Sequence, residues 1–121
     1  MSLTVIVGQP GSGKSKAIRE RYLRSESAVF FDGHHDAEAV RQIRHEMGVQ
    51  NHLYLAVSAD MLWSELERLD GAREVFIDMP DLKEPDMRKL GSLARERNLH
   101  LTFTSSQPPG NLGEAEVVKL A

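Results

Sequence analysis

The sequence contains no cysteine. It can therefore build neither a disulfide framework nor a cysteine-ligated zinc site, and it fits a reducing, cytoplasmic compartment, or a virion if the source is viral. Its uninterrupted apolar runs extend for only a few residues, well short of the roughly 20 that a membrane-crossing helix needs. No membrane contact is expected. The first apolar run starts at Leu3, which is expected to leave no room for a secretory leader. Positive charge is not in surplus either: 15 Lys and Arg against 18 Asp and Glu give a net charge of −3. Such a surface is not built as a whole to hold nucleic acid, so a local patch or an assembled ring would have to supply any such contact. Repeats, low-complexity tracts and linkers are absent. The 121 residues fit one domain, 1–121, long enough to bury a core.

What is present is concentrated at the start. Leu3-Thr4-Val5-Ile6-Val7 is an apolar, β-branched run that feeds into Gly8-Gln9-Pro10-Gly11-Ser12-Gly13-Lys14-Ser15. This octet fits G-x-x-x-x-G-K-[ST], the phosphate-binding loop. Glycines at 8, 11 and 13 let successive N–H groups turn inward toward phosphate oxygens. A helix opening near Lys14 aims the positive end of its dipole at the same anion. In this chemistry Lys14 reaches the β- and γ-phosphates, Ser15 ligates Mg²⁺, and Lys16 continues the binding segment. A chance glycine-rich turn would not be expected to carry a strand before it, a helix after it and all the fixed positions. The motif predicts a nucleoside triphosphate, with ATP and Mg²⁺ as cofactors.

Downstream, strands and helices alternate. Residues 14–23 read as a helix with Ala17, Ile18 and Tyr22 inward, and 27–32 as a buried strand ending in Asp32. Asp36 is a plausible N-cap for a helix through Met47 that Gly48 stops. Residues 52–57 read as a strand, followed by a helix from about Asp60 that carries Leu62, Leu66 and Leu69 inward and ends at Gly71. Residues 74–78 form a strand. Pro85 suits the first turn of the next helix, which buries Met87, Leu90 and Ala94 and closes at Asn98. Residues 99–104 are a further strand, and 114–120 fit a short strand or a short helix. The alternation predicts a parallel sheet covered on both faces.

Val75-Phe76-Ile77-Asp78 is an apolar strand with an acid at its carboxyl end. Downstream of a phosphate loop it matches the Walker B pattern, whose Asp holds Mg²⁺ directly or through its water shell. Ligands of open parallel sheets sit at the carboxyl ends of strands, where Asp78, Asp32 and Gln107 all fall. This succession of elements resembles the RecA-like ATPase core. Ala28-Val29-Phe30-Phe31-Asp32 and Ser105-Ser106-Gln107 are similar to RecA, and residues 94–109 to the FtsK–HerA branch, which contains DNA translocases and genome-packaging ATPases. The resemblance implies a three-layer α/β/α P-loop NTPase with a mainly parallel five-stranded sheet in the order 5-1-4-3-2, the Asp78 strand lying beside the phosphate-loop strand. It gives Gln107 the role of a sensor and Arg95 that of an arginine supplied in trans. It further implies a homo-oligomer, or a partner protein completing the site, and DNA or RNA as the polymer acted on.

Departures from that pattern are informative. Met79 stands where many members carry a glutamate after the Walker B Asp, and no Glu follows the second strand, where Asp32-Gly33-His34-His35 stands. Asp32, His34 and Asp81 remain as candidates to activate water, with Asp32 best placed. His34-His35-Asp36 reads as a polar turn, because adjacent residues rarely point at one ion. Two other readings stay open: a GTPase-like switch, although no guanine-reading N-K-x-D or T-K-x-D occurs, and a nucleotide-binding accessory protein with little hydrolysis. No insertion long enough for a substrate lid is present, which disfavours a small-molecule kinase.

Overall fold

The computed structural model describes residues 2–50, 52–69 and 74–120. Its elements alternate as the sequence implies: β1 (Ser2–Val7), α1 (Lys14–Leu23), β2 (Ala28–Asp32), α2 (Ala37–Met47), β3 (Tyr54–Ala56), α3 (Ala59–Glu67), β4 (Glu74–Asp78), α4 (Glu84–Arg97), β5 (His100–Ser105) and β6 (Glu116–Lys119). Local chemistry explains the helix ends. The Asp36 carboxylate accepts from Ala39 N at 2.8 Å and opens α2, and Gly48 closes it at φ 69. Ser58 caps α3 through its hydroxyl, and Asn98 ends α4 in the left-handed conformation. Gly71, expected to end the third helix, lies outside the described residues; α3 closes at Glu67 with Arg68 as its cap.

All six strands are joined by parallel pairings in the order β3-β2-β4-β5-β1-β6. This corrects two expectations. The sheet has six strands, because the tail forms β6 on the outer side of β1. The order 5-1-4-3-2 fails in two places. β5 does lie beside β1, as expected, but β6 and not β4 is on the other side of β1, and β4 is followed by β2 and then β3 instead of by β3 and then β2. Val5 is in register with Phe103, and Phe103 with Ile77. The reason is the connection. A strand, one helix and a return to the adjacent parallel strand is the shortest crossover available, and α4 makes it from β4 to β5. That places β5 between β1 and β4, which the sequence reading made neighbours. The helix α1 then carries the chain from β1 across β5 and β4 to β2, and it packs against all four strands.

The helices divide between the two faces, giving three layers. Ile18 and Tyr22 of α1 and Val40 of α2 pack with Ile6, Phe30, Tyr54 and Phe76 on one side. Leu62 and Leu66 of α3 and Met87, Leu90 and Ala94 of α4 pack with Val5, Val75, Ile77 and Phe103 on the other. Among the described residues no helix is long and apolar enough to cross a membrane.

The first side is aromatic. Phe30 and Tyr54 stack at 4.3 Å between centroids, and Tyr22 meets both rings edge-on. Burial pushes the Tyr22 phenol up to about 12. Burial, then the hydrogen bond to Asp32, pushes that of Tyr54 up as well. Both hydroxyls therefore remain donors at neutral pH, Tyr22 to Leu53 O and Tyr54 to the buried Asp32 carboxylate at 2.6 Å. Tyr54→Phe keeps the stack but removes a donor from a carboxylate that water cannot reach. It should lower unfolding free energy by about 1–3 kcal/mol, as read by urea denaturation, with the far-UV circular dichroism of the folded chain unchanged.

Candidate functional site

The turn between Val7 and Lys14 is shaped by two different uses of glycine. Gly11 and Gly13 have φ of +83° and +93°, and a Cβ on either would meet nothing within 4 Å. Their requirement is conformational. At Gly8 the requirement is space: a Cβ there would lie 2.2 Å from Ser12 Oγ and 3.2 Å from Ser12 Cβ. Ser12 N donates to Gln9 O at 3.0 Å, and the Ser12 hydroxyl is buried without a partner. The loop thus closes over its own first glycine. Gly13 then caps α1 with no side-chain bond, and the first turn carries no acidic residue. Its free N–H groups and the positive end of the dipole are open to an anion.

These groups border a cleft of about 600 Å³ at the carboxyl edge of the sheet. Pro10, Gly11, Gly13, Lys14, Ser15 and Lys16 form one wall, and His34, Met79, Pro80, Asp81, Ser105 and Ser106 the rest. Of the expected binding residues, Gly8, Gln9 and Ser12 shape the loop without lining this cleft. Lys14 Nζ donates to Gly8 O at 2.6 Å, so its ammonium lies across the loop it belongs to.

Behind the cleft stand Asp32 and Asp78, register partners at the ends of β2 and β4 and both fully buried. Gly33 N donates to Asp78 O at 2.8 Å, and a Cβ on Gly33 would lie 2.0 Å from Met79 Sδ. The two strand ends are therefore locked together. Asp78 Oδ1 accepts from Thr104 Oγ1 at 3.0 Å and meets His34 Nε2 at 3.0 Å, while Oδ2 is buried with no partner. Asp78 thus touches a residue of the cleft wall while remaining one layer behind it.

Asp32 does not act as expected of a candidate for activating water. Its Oδ1 accepts from His34 N at 2.8 Å and His35 N at 3.1 Å, and its Oδ2 from Tyr54 Oη at 2.6 Å and His35 Nδ1 at 2.9 Å. With its oxygens so occupied and no exposed surface, it holds the turn after β2 and has no acceptor to offer a water. His34 and His35 diverge, one to Asp78 and the other to Asp32, and Asp36 turns away to cap α2.

Two further candidates lie off the cleft. Gln107 borders an adjoining groove of about 420 Å³ that shares only Asp81 and Ser106 with the main one. It lies there because Ser105 Oγ grips the backbone of Gln107 on both sides, at 2.6 and 3.1 Å, turning the chain outward. Arg95 stands far along α4, roughly 16 Å from Glu84 at 1.5 Å per residue, toward the opposite edge of the sheet. There Nη1 donates to Leu112 O at 3.4 Å, so Arg95 cannot serve the cleft of its own chain. Asp81, with φ 58, sits on the wall between cleft and groove, a conformation that aspartate tolerates. Sequence reasoning ranked His34 behind Asp32 and missed Thr104 and Tyr54. A histidine two residues past an acid-ended strand was the available signal, whereas the Thr104 contact depends on β5 lying next to β4.

Among the described residues no group of three or more His, Asp or Glu is placed to hold a metal ion. A Mg²⁺ kept by one or two protein oxygens, its own waters and substrate phosphates needs no such group. The donor set fits that ion: a hydroxyl on the wall at Ser15 and, behind it, the orphaned Asp78 Oδ2. No protein-family model and no curated protein matches the chain.

The space argument at Gly8 is directly testable. Gly8→Ala should destabilise the fold by about 1–3 kcal/mol through overpacking. Adding Ser12→Gly, which removes both Ser12 atoms and leaves only the approach to Leu120 Cβ at 3.3 Å, should recover more than half of that loss, the coupling expected of residues in contact. Thermal melts of the two single variants and the double variant read the result.

Proposed function

We propose that the chain is a Mg²⁺-dependent, ATP-binding and ATP-hydrolysing P-loop protein of RecA-like kind. In this reading it is an oligomeric motor, or the subunit of one, that acts on nucleic acid in packaging or translocation. The observation that carries the nucleotide reading is one convergence. A glycine-shaped loop, the uncapped start of α1, Lys14 and Ser15 meet at a single cleft, and a buried carboxylate with one orphaned oxygen stands one layer behind the His34 side of its wall.

Bound Mg–ATP supplies an electrophilic phosphorus and a cation that neutralises its charge. The chain's own groups do the positioning. Backbone N–H groups of the loop and the first turn of α1 hold phosphate oxygens. Lys14 exchanges the Gly8 carbonyl for a phosphate oxygen, a stronger acceptor. Ser15 and Asp78 hold the ion. Such sites need little covalent chemistry, since positioning and preorganised charge lower the barrier.

Assembly follows from where the positive charge lies. Arg95 is on the wrong edge to serve its own cleft, and among the described residues no arginine lines it, so in this reading a neighbouring copy or a partner brings one. A finger of that kind is worth about 10³–10⁵ in rate. The occupied Asp32 and the apolar Met79 favour a second reading, a nucleotide-binding accessory protein without turnover.

Lys14→Ala should weaken Mg–ATP binding by about 10–100-fold, the equivalent of one charge-assisted hydrogen bond of about 1.5–3 kcal/mol, in a protein that melts like the parent. Undiminished affinity would refute the loop assignment. Turnover of ATP and of GTP, measured against protein concentration with and without DNA or RNA, separates the readings. The motor reading expects turnover per subunit to rise with concentration or with polymer, and the accessory reading expects none.

A further inference from the structure

We propose that His34 is the residue that orients the attacking water in this cleft, an inference that rests on the nucleotide reading above. Both obvious acidic positions are closed to the task. Asp32 has its oxygens committed to Tyr54, His35 and two backbone N–H groups. Met79 follows Asp78 directly and packs onto Gly33. Asp81 reaches the wall from an exposed turn, and among the described residues no hydrogen bond fixes its carboxylate. Orientation requires a group held in place by its surroundings.

His34 is held at both ends. Its backbone N–H donates to Asp32 Oδ1 at 2.8 Å, and its imidazole Nε2 meets Asp78 Oδ1 at 3.0 Å. The two buried carboxylates therefore hold one residue, Asp32 by its backbone and Asp78 by its ring, and its side chain is still one-third exposed, at 33%, on the cleft wall. The contact also sets the tautomer. A carboxylate oxygen only accepts, so Nε2 carries the hydrogen, and in the neutral ring Nδ1 is left as a bare acceptor. A base oriented by an acid behind it is the arrangement that activates nucleophiles on unrelated folds. Asp78 divides its labour: Oδ1 fixes His34 with the help of Thr104, and the unpartnered Oδ2 is left for the ion.

In the step itself, Nδ1 accepts a hydrogen bond from water and directs its oxygen at the γ-phosphorus. An oxygen–phosphorus bond forms as the bond to the β,γ-bridging oxygen breaks. The electron pair departs on ADP, and the water proton leaves on inorganic phosphate. His34 ends unchanged.

Two measurements test this. The first is ¹⁵N NMR of His34 in the intact wild-type chain in mildly alkaline buffer, which reads the tautomer whether or not turnover awaits a partner. Hydrogen on Nε2 with Nδ1 bare is expected, and hydrogen on Nδ1 would overturn the proposal. The second compares Mg–ATP affinity with single-turnover cleavage in His34→Ala and His34→Gln. His34→Ala should bind within about threefold of the parent and cleave about 10²–10⁴-fold more slowly, the usual worth of a positioned acid–base group. His34→Gln, which retains a donor for Asp78 and an acceptor beside it, should recover part of the rate. Equal cleavage by His34→Ala, or a parallel loss of binding and cleavage, would overturn the inference. A parent chain that fails to bind Mg–ATP would instead refute the nucleotide reading beneath it.

Discussion

Two carboxylates with no exposed surface, Asp32 and Asp78, face the same side of the sheet on neighbouring strands, which in parallel sheets lie about 4.8 Å apart. Burying one unpaired charge is costly, and burying two side by side is costlier still. Much of the architecture at the carboxyl edge answers that cost. Tyr54 on β3 and the N–H groups of His34 and His35 serve Asp32; Thr104 on β5 and the His34 ring serve Asp78. The aromatic packing that carries the Tyr54 hydroxyl into place and the insertion of β5 next to β4 are thus tied to the same pair of acids. One oxygen, Asp78 Oδ2, is left without a donor. In the proposed nucleotide reading, the cation or a water bound to it takes that place.

The division of roles between the acids follows from connectivity. β2 continues into a tight turn whose N–H groups curl back on Asp32, so that carboxylate is consumed locally. β4 continues into Met79 and Pro80, which offer Asp78 no such turn. Its partners come instead from β5 and from the residue that Asp32 holds in place. A structural acid thereby supports a histidine, and the histidine links the second acid to the cleft. The loop at residues 8–15 stands across the same cleft, closed over Gly8 by the Ser12 side chain.

Much of this was legible in the sequence because it is written locally. The glycine-rich turn between β1 and α1, the caps at Asp36, Gly48 and Asn98, and Pro85 in the first turn of α4 each depend on residues a few positions apart, and each lies where the sequence places it. Strand order was not legible. β1, β4 and β5 are buried on both faces, β5 with threonines on one of them, so nothing in their periodicity states which is whose neighbour, and the error over β4 follows from that. β6 was ambiguous because its four residues are short and mostly exposed. Asp32 looked available because a strand-end acid shows its position but not its partners, and Tyr54 lies 22 residues away. Gln107 and Arg95 were assigned by resemblance, and their displacement from the cleft depends on the Ser105 clasp and on the length of α4, which no motif encodes.

The central claim is that the loop at residues 8–15 is an anion-binding turn working with the acids behind it. Backbone amide shifts on titration with Mg–ATP test it most directly, since they report each N–H separately and require no turnover. The account predicts saturable shifts at Gly11, Gly13, Lys14 and Ser15, with smaller ones at His34 and Asp78, and none at Arg24 or Ser25 on the opposite edge. Saturable shifts centred on another surface, or no shifts at millimolar nucleotide, would contradict it.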